Sequence, residues 1–509
     1  MQLVLPAEVR TLVRPNSYFD SVTLMRISTG LNARPGVTAS LMMGTPANKE
    51  LLAAASLLTE DGEAAGPNDL VIAIRADGQA LDGLLAEAES GLSAISAEAA
   101  VVEADAPGTL LQAVAKLPGA NLAMISTPGS YAAAEGLKAL SRGLHVFMFS
   151  DNVPREDEVM LKREAARRGL LLMGPDCGTA MINGAPLGFA NAVRSGDIGL
   201  IGASGTGLQQ VSCLIDRAGC GVTQVIGVGS HDLTERVGSS TMLLALDALG
   251  RDPATRVIVL VSKPPEPAEA ERVLKRAAAV GKPIVVSFVG SSARIDASSV
   301  HNAPTLEEAA SLAVALSRGT PPEPPAATDP LPVAERIAPG RRYIRALYSG
   351  GTFAYEAQQL LAPVVDAIES WAPGRPASFP AGHLVLDLGA DEFTVGRPHP
   401  MIDPGLRAEL VRAAAAAPDT AVVLLDVVIG HGAAADPLDQ LAEAIREGSR
   451  APDGGPAFVA FVCGTEADPQ GLHRQEDALS SLGVVLAPNS TAAARLAGAV
   501  ASVRAEAAR

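Results

Sequence analysis

Short apolar segments alternate with amphipathic segments along almost the whole chain. Most of the apolar segments are continuous aliphatic or β-branched runs, which is typical of strands that are covered on both faces. Between them, apolar residues recur at helical spacing, as Leu208, Val211 and Ile215 do in segment 207–219. This repetition predicts an α/β fold of mainly parallel sheets joined by right-handed crossovers. The predicted strands are residues 70–74, 121–126, 145–150, 198–202, 256–262, 283–289, 345–350, 384–389, 421–430 and 457–464.

A proline-rich segment divides the chain. Residues 319–332 contain six prolines, which can continue neither a helix nor a central strand. Weaker boundaries are predicted near residue 100, after an Ala-rich helical stretch, and near Ser195, ahead of a new strand. The predicted divisions are an N-terminal α/β segment at 1–100, a second domain at 101–195, a third at 196–318, a linker at 319–340 and a last domain at 341–509.

Composition narrows the class of protein. At about 150 residues per domain, 509 residues correspond to roughly three or four domains, and 48% hydrophobic residues are enough for several cores. The net charge of −16 and the lack of a basic stripe disfavour nucleic acid as a partner. The N-terminus lacks the features of a signal peptide, and no run of about 18 apolar residues predicts a membrane span. We therefore expect a cytoplasmic protein.

Cysteine usage indicates neither a disulfide framework nor a metal site. The four cysteines form no C-x-x-C pair and no His/Cys cluster with zinc spacing, so we expect reduced thiols and no bound metal. Asp387 and Asp391 lie near a predicted strand end, but two spaced carboxylates are weak support for a metal. The cysteines are Cys177, Cys213, Cys220 and Cys463.

The segment GDIGLIGASGTGLQQV (196–211) carries the most chemical information. A buried strand leads into a glycine-rich turn with Ser204, Gly205 and Thr206, and then into an amphipathic helix. Unpaired amides and the positive end of the helix dipole attract an anion at such a position. The segment therefore indicates a phosphate or carboxylate site. The alternative is an ordinary βα turn with a Ser/Thr cap.

A second segment has the same organisation. RALYSGGTFAYEAQQLL (345–361) again runs from a strand through Gly350, Gly351 and Thr352 into a helix. Two such helix starts in separate domains could hold one anion between them. The second segment therefore strengthens the phosphate interpretation. The sequence contains neither of two common nucleotide-binding motifs, the P-loop and the dinucleotide-binding fingerprint.

Three other places supply candidate side chains. In the GRPHP turn, Arg397 and His399 could bind a carboxylate and polarise a carbonyl, or they could be surface cations of a Pro-rich loop. Lys263, between a strand and two prolines, is either an anion ligand or a solvated lysine.

We expect the turn GPDCGT to approach the site, with Cys177 as a packed thiol rather than a nucleophile. Its candidate residues are Asp176, Cys177, Gly178 and Thr179. Asp426 lies within an apolar strand, where a carboxylate needs a partner, and we expect a structural role in which it holds a backbone amide or the neighbouring His431.

These motifs resemble those of a known superfamily. The segments before the linker are similar to the α subunit of succinyl-CoA synthetase, and those after it to the ligase domain of the β subunit. The segments concerned are 151–165, 174–179, 196–207, 348–357, 387–404 and 422–432. Several unusual strings resemble the FdrA branch of this superfamily, and that resemblance extends over nearly the whole chain. These strings are at 42–52, 172–182, 261–265 and 394–404. The resemblance implies a multi-domain succinyl-CoA-synthetase-like fold, with a Rossmann-like CoA-binding-type domain at 101–195 and flavodoxin-like ligase-type domains at 196–318 and 341–509.

The chain also departs from the family pattern. A succinyl-CoA synthetase carries a phosphorylated histidine on a GHAGA-type loop, whereas the corresponding residues 290–310 contain His301 in a different context. Lys263 replaces the expected glutamate, the Gly-rich CoA-binding turn is missing, and no ATP-grasp domain is present. The chain therefore keeps the two helix starts without the phosphoryl relay.

The FdrA resemblance implies a function. Such proteins act with companion subunits as an oxamate carbamoyltransferase, which converts oxalurate and phosphate into oxamate and carbamoyl phosphate, or the reverse. The first alternative is an acyl-CoA synthetase-like or CoA-transfer subunit, and the second is a non-catalytic scaffold. We expect an anionic small-molecule substrate (phosphate or carbamoyl phosphate), CoA as a possible ligand, and an oligomer with companion subunits.

Overall fold

The computed structural model describes residues 7–17, 19, 21–32, 34–100, 107–325, 328–371, 379–394, 398–450 and 455–507. The chain forms two compact units. The amino-terminal unit comprises Met1–Ala113 together with Thr394–Pro398, and the main unit comprises Val114–Phe393 and His399–Arg509.

An antiparallel three-stranded sheet organises the amino-terminal unit. Its elements are β1 (Ala7–Arg14), α1 (Ser21–Asn32), β2 (Thr38–Met43), α2 (Pro46–Ala54), α3 (Glu60–Ala64), β3 (Leu70–Asp77) and α4 (Leu81–Ala100), and α5 (Leu110–Lys116) follows along the chain. The strand order is β1-β3-β2, with Leu70 opposite Arg14 on one side and Met43 on the other. Residues 70–74 of the central strand are fully buried, as their continuous apolar run predicts.

The main unit begins with a small parallel sheet. Its elements are β4 (Leu122–Ile125), α6 (Gly129–Ser141), β5 (His145–Met148), α7 (Arg155–Arg168) and β6 (Leu172–Met173). The strand order is β4-β5-β6. The loop that follows β6 connects this sheet to the next one along the chain.

A seven-stranded sheet carries the first glycine-rich turn. Its elements are β7 (Thr179–Ile182), β8 (Ala185–Gly188), β9 (Ser195–Ala203), α8 (Gly205–Arg217), β10 (Val222–Gly227), α9 (Ser240–Arg251), β11 (Val257–Ser262), α10 (Pro267–Ala278), β12 (Ile284–Phe288), β13 (Val300–Asn302) and α11 (Leu306–Arg318). The order is β13-β12-β11-β9-β10-β7-β8. The first five strands in this order are parallel, and the β7–β8 hairpin joins antiparallel at one edge.

A six-stranded parallel sheet carries the second turn. Its elements are α12 (Leu331–Ala334), β14 (Tyr343–Tyr348), α13 (Gly351–Leu361), β15 (Ile368–Glu369), β16 (His383–Asp387), α14 (Asp391–Thr394), α15 (Gly405–Ala416), β17 (Thr420–Val428), α16 (Asp439–Ser449), β18 (Ala457–Cys463), α17 (Leu472–Ser481), β19 (Val485–Leu486) and α18 (Ser490–Ala507). The order is β15-β16-β14-β17-β18-β19, so β14 lies between β16 and β17.

One hydrophobic core connects the two large sheets. The helices α8, α11, α13 and α18 pack against one another between them. Buried side chains of all four helices belong to this core, among them Val211, Ala309, Phe353 and Val500. Because α8 and α13 touch, the strand-to-helix turns that precede them lie close together. This packing positions the candidate site.

The predicted fold class, α/β with mainly parallel sheets, is confirmed. Each predicted strand overlaps an observed strand of the structure. The structure also contains elements beyond those predicted, two of which bear on the domain divisions. The hairpin at 179–188, within the segment 101–195, pairs with the sheet that follows it, and α12 forms inside the predicted linker. No described helix is long and apolar enough to cross a membrane.

Candidate functional site

The first helix start is built around Ser204. This residue caps α8 with an extended backbone (φ −160°, ψ 97°), and its Oγ accepts a hydrogen bond of 3.2 Å from the Gly207 amide. A side chain at position 207 would lie 2.2 Å from Ser204 Oγ, so the cap requires glycine there. The amides of Gly205 and Thr206 have no acceptor within the helix. They carry the positive end of the helix dipole.

The second helix start is held by a buried ion pair. Asp426, in β17, accepts hydrogen bonds from the Ser349 amide (2.9 Å) and the Gly350 amide (3.0 Å). Arg407 Nη2 donates to Asp426 Oδ1 over 2.6 Å, and both side chains are buried. Of the two partners expected for Asp426, a backbone amide or His431, the structure shows backbone amides. Because the Gly350 amide is committed to Asp426, the amides that a ligand can use at this helix are those of Gly351 and Thr352.

The two helix starts touch each other. Ser204 Oγ lies 2.6 Å from Thr352 Oγ1, across a separation of 148 residues in the sequence. A Cβ atom added at Gly350 would lie 2.8 Å from Thr206 Cγ2, which shows how closely the turns approach. Two positive helix ends that meet at hydroxyl groups form a site suited to a phosphoryl group or a carboxylate.

Thr179 adds a buried hydroxyl to this site. Its Oγ1 would lie 3.2 Å from a Cβ atom at Gly205, and the residue is only 4% exposed. Within the described part of the chain, this Oγ1 has no hydrogen-bond partner. A buried hydroxyl without a partner is costly, and a ligand oxygen would satisfy it. We call the following group the cradle: Thr179, Ser204, Gly205, Thr206, Gly351 and Thr352.

The turn that contains Thr179 also places Asp176 and Cys177. Gly178, between Cys177 and Thr179, is half-buried and lies against the Phe189 ring. The Asp176 side chain is exposed, but the protein surrounds it closely enough that desolvation raises its pKa. Cys177 is buried, and desolvation raises the pKa of its thiol to about 12. A thiol in this state is a poor nucleophile, in agreement with the predicted packed role.

Cys177 should accordingly resist alkylation in the folded protein. With iodoacetamide at pH 8, we expect no detectable modification of Cys177 in native protein, because the thiolate is scarce and the sulfur is buried. Peptide mass spectrometry gives the result. The same reaction in guanidinium chloride is the control and should label Cys177 fully. Rapid labelling of the native protein would show that Cys177 can act as a nucleophile.

Lys263 and His399 lie near the second helix start. The Lys263 side chain is 48% exposed, and its Nζ would be 3.1 Å from a Cβ atom at Gly351. The Met401 amide donates to His399 Nδ1 over 3.2 Å, and burial lowers the pKa of His399 to about 4. The imidazole is therefore neutral at pH 7, and Nε2 carries its proton as a hydrogen-bond donor. Arg397 lies outside the described residues.

Two residues that contribute to the site were not predicted as part of it. Asp387 ends β16 directly beside β14, where Tyr348 pairs with it. Phe189 packs against the His399 ring, with centroids 5.7 Å apart. The position of Asp387 at a strand end was visible in the sequence, but its place beside the second helix start depends on the order of the strands.

Family models match two parts of the chain. Residues 347–500 match the model described as CoA-ligase, which spans the second helix start. Residues 7–107 match the model described as AllF, heavy metal-associated domain.

A relative of nearly equal length identifies the family. The uncharacterized protein YahF of Escherichia coli (strain K12) is 42% identical over 503 residues, which are 95% of this chain and 96% of YahF. The chain belongs to the YahF family. In this YahF family member, residues 347–500 are similar to the CoA-ligase family.

Other relatives match smaller parts. The α-2 subunit of the ADP-forming succinate–CoA ligase of Trichomonas vaginalis is 27% identical over 191 residues, which are 36% of this chain and 60% of that subunit. The chain thus matches less than two thirds of that ligase subunit. The apo dinucleotide-forming acetyl-coenzyme A synthetase 1 of Ca. Korarchaeum cryptofilum is 18% identical, with a TM-score of 0.32, over 76% of this chain and 84% of that one.

The amino-terminal unit does not fit a heavy metal ion. Residues 7–107 contain neither cysteine nor histidine, the thiolate and imidazole donors that such ions prefer. Among the described residues of the whole chain, no group of three His, Cys, Asp or Glu side chains could hold a metal ion. The match to the AllF model is thus not accompanied by the side chains that usually bind heavy metal ions.

Proposed function

We propose that this YahF family member is a subunit of an acyl-CoA synthetase-like enzyme and binds the phosphoryl group of an acyl phosphate in the cradle. The contact between Ser204 and Thr352 carries the proposal, because it brings two helix starts to one point. The unpartnered hydroxyl of Thr179 supports it independently. The similarity of residues 347–500 to the CoA-ligase family agrees with an acyl phosphate as the reacting species.

The residues suggest how the chain assists acyl transfer. The amides of Gly205, Thr206 and Gly351 stabilise the phosphate oxygens, and the Nε2–H group of His399 polarises the acyl carbonyl. An incoming nucleophile attacks the acyl carbon, the bond from that carbon to the phosphate oxygen breaks, and phosphate leaves into the cradle. No covalent bond to this chain is required.

A more specific candidate is carbamoyl transfer, as the FdrA resemblance implies. In that reaction oxalurate and hydrogen phosphate give oxamate and carbamoyl phosphate, and CoA takes no part. One observation favours it: His301 lies within β13, paired with Val285, and not on a loop that could carry a phosphoryl group.

Companion subunits belong to the proposal. The FdrA resemblance implies that such proteins act with companion subunits, and in this proposal a partner supplies any ATP-dependent step. We propose an assembly with such partners, and light scattering of the co-expressed subunits measures its mass.

Calorimetry tests the proposed function. Phosphate, carbamoyl phosphate and CoA are titrated separately into the purified chain and into its Thr352→Val variant. We expect phosphate to bind and Thr352→Val to weaken it about tenfold, because the variant removes one charge-assisted hydrogen bond at nearly constant volume. Thr320→Val changes an exposed threonine in the same way and should have no effect.

The outcomes separate the candidates. Binding of CoA as well as phosphate favours the acyl-CoA synthetase-like function. Binding of carbamoyl phosphate without CoA favours carbamoyl transfer. If phosphate binds equally well to the wild type and to Thr352→Val, the cradle is not the phosphate site. If none of the three ligands binds, the proposed function fails for the isolated chain, and the same titrations on the co-expressed assembly decide whether the chain is a scaffold.

A further inference from the structure

A second carboxylate lies against the start of α13. Asp387 Oδ2 would be 2.3 Å from a Cβ atom at Gly351, the first residue of the helix. The other oxygen, Oδ1, accepts a hydrogen bond of 3.1 Å from the Gly389 amide. The Asp387 side chain is 28% exposed, so it faces the accessible side of the helix start. A carboxylate at this position interacts favourably with the helix dipole, as a phosphoryl group would.

The two carboxylates beside β14 differ in how their charge is balanced. Asp426 is fully buried and is paired with Arg407 at hydrogen-bond distance. Among the described residues, the cation that faces Asp387 is Lys263, whose Nζ lies 4.0 Å from Oδ2 and whose side chain is half exposed. Within the part of the chain that the structure describes, the charge of Asp387 is thus offset by a half-exposed lysine at 4.0 Å and not by a buried, hydrogen-bonded cation. Asp426 holds the turn in place through its hydrogen bonds, whereas the partly exposed Asp387 can interact with a ligand.

We propose that Asp387 competes with the phosphoryl ligand for the start of α13 and so limits the affinity of the cradle for free inorganic anions. This inference rests on the function proposed above. Lys263 contacts either Asp387 or the ligand, and it lies close enough to Gly351 for both. A ligand that neutralises Asp387, by a proton or by its own hydrogen-bond donors, binds better than a bare dianion.

Protonation of Asp387 should therefore favour anion binding. Burial raises the pKa of Asp387, with Asp426 and Glu392 acting in the same direction and Lys263 and the Gly389 amide acting against them. As the pH falls toward that raised pKa, the carboxylate loses its charge and the competition weakens. The charged groups that act on Asp387 are Lys263 at the end of β11, Asp426 in β17 and Glu392 in α14. The His399 ring also lies nearby, beside Gly389. These groups titrate in both the wild type and Asp387→Asn, so a comparison of the two proteins at equal pH cancels their contribution.

The test uses sulfate, which remains a dianion between pH 5 and pH 8. Calorimetry at pH 7.5 compares the wild-type chain with Asp387→Asn, whose Oδ1 can still accept from the Gly389 amide. We expect sulfate to bind about tenfold more tightly to Asp387→Asn, since a neighbouring negative charge is removed. Asp391→Asn is the matched control: it removes an exposed carboxylate four residues away and should change the affinity little.

A pH series gives a second measurement, in which the affinity of each protein is referred to its own value at pH 8. The affinity of the wild type for sulfate should rise from pH 8 to pH 5 more steeply than that of Asp387→Asn. Equal affinities at pH 7.5, or parallel pH profiles, overturn the competition. So does an equal gain in Asp391→Asn, which would indicate a general charge effect. If neither the wild type nor Asp387→Asn binds sulfate or phosphate, the proposed function of the cradle fails, and the competition fails with it.

Discussion

Replacement of Gly350 by alanine is expected to lower phosphate affinity about a hundredfold. The added Cβ atom would lie 2.6 Å from the Phe353 ring and 2.8 Å from Thr206 Cγ2, so the two helix starts must move apart. Gly350 has φ −106° and ψ 114°, a backbone conformation that alanine adopts freely. The loss therefore reports the separation of the helix starts, at a cost of about 1–3 kcal/mol for overpacking.

Calorimetry with phosphate measures this effect. Gly119→Ala is the control, because a Cβ atom at Gly119 meets no other atom within 4 Å. The Gly350→Ala variant should remain folded, with nearly the same circular dichroism spectrum as the wild type. Unchanged phosphate affinity in a folded Gly350→Ala protein would show that the close approach of Gly350 to Thr206 does not matter for ligand binding.

Removal of the Asp426 carboxylate is expected to lower the free energy of unfolding by about 3–5 kcal/mol. In Asp426→Ala the guanidinium of Arg407 would remain buried without its counter-ion, and the amides of Ser349 and Gly350 would lose their acceptor. Replacing Arg407 as well, by methionine, removes the uncompensated charge. The double variant should therefore be more stable than Asp426→Ala alone.

Urea denaturation of the single and double variants checks this order. Asp477→Ala, at an exposed position of α17, is the control and should change the stability by less than about 0.5 kcal/mol. If Asp426→Ala and the double variant unfold at the same urea concentration, the ion pair does not act as a unit. A loss no larger than that of the control would show that the second helix start does not depend on Asp426.

The elements of the site followed from local patterns in the sequence. Each helix start has a buried strand, a glycine-rich turn and a hydroxyl residue in one continuous segment, so Ser204 and Thr352 could be chosen without knowledge of the fold. The hairpin at 179–188 also had a local signal that was not used. Asn183 and Gly184 both have positive φ, as the tight turn of a two-residue hairpin requires.

The surroundings of the site could not be predicted in the same way. Asp387 and Asp426 flank β14 only because the strand order is β16-β14-β17, and that order is set by packing between distant segments. The partner of Asp426, Arg407, lies in a helix 19 residues away in the sequence and had no distinguishing pattern. The charge balance at the second helix start therefore emerges from tertiary structure alone.

The bond between Ser204 and Thr352 also has a consequence for how the protein matures. Its partners are 148 residues apart and belong to different sheets, so the contact forms only after both sheets have folded and their helices have packed. During synthesis, the first helix start emerges from the ribosome long before the second. A nascent or truncated chain that ends in the proline-rich linker would lack Gly351 and Thr352 of the cradle, and ligand binding would then report the completion of folding.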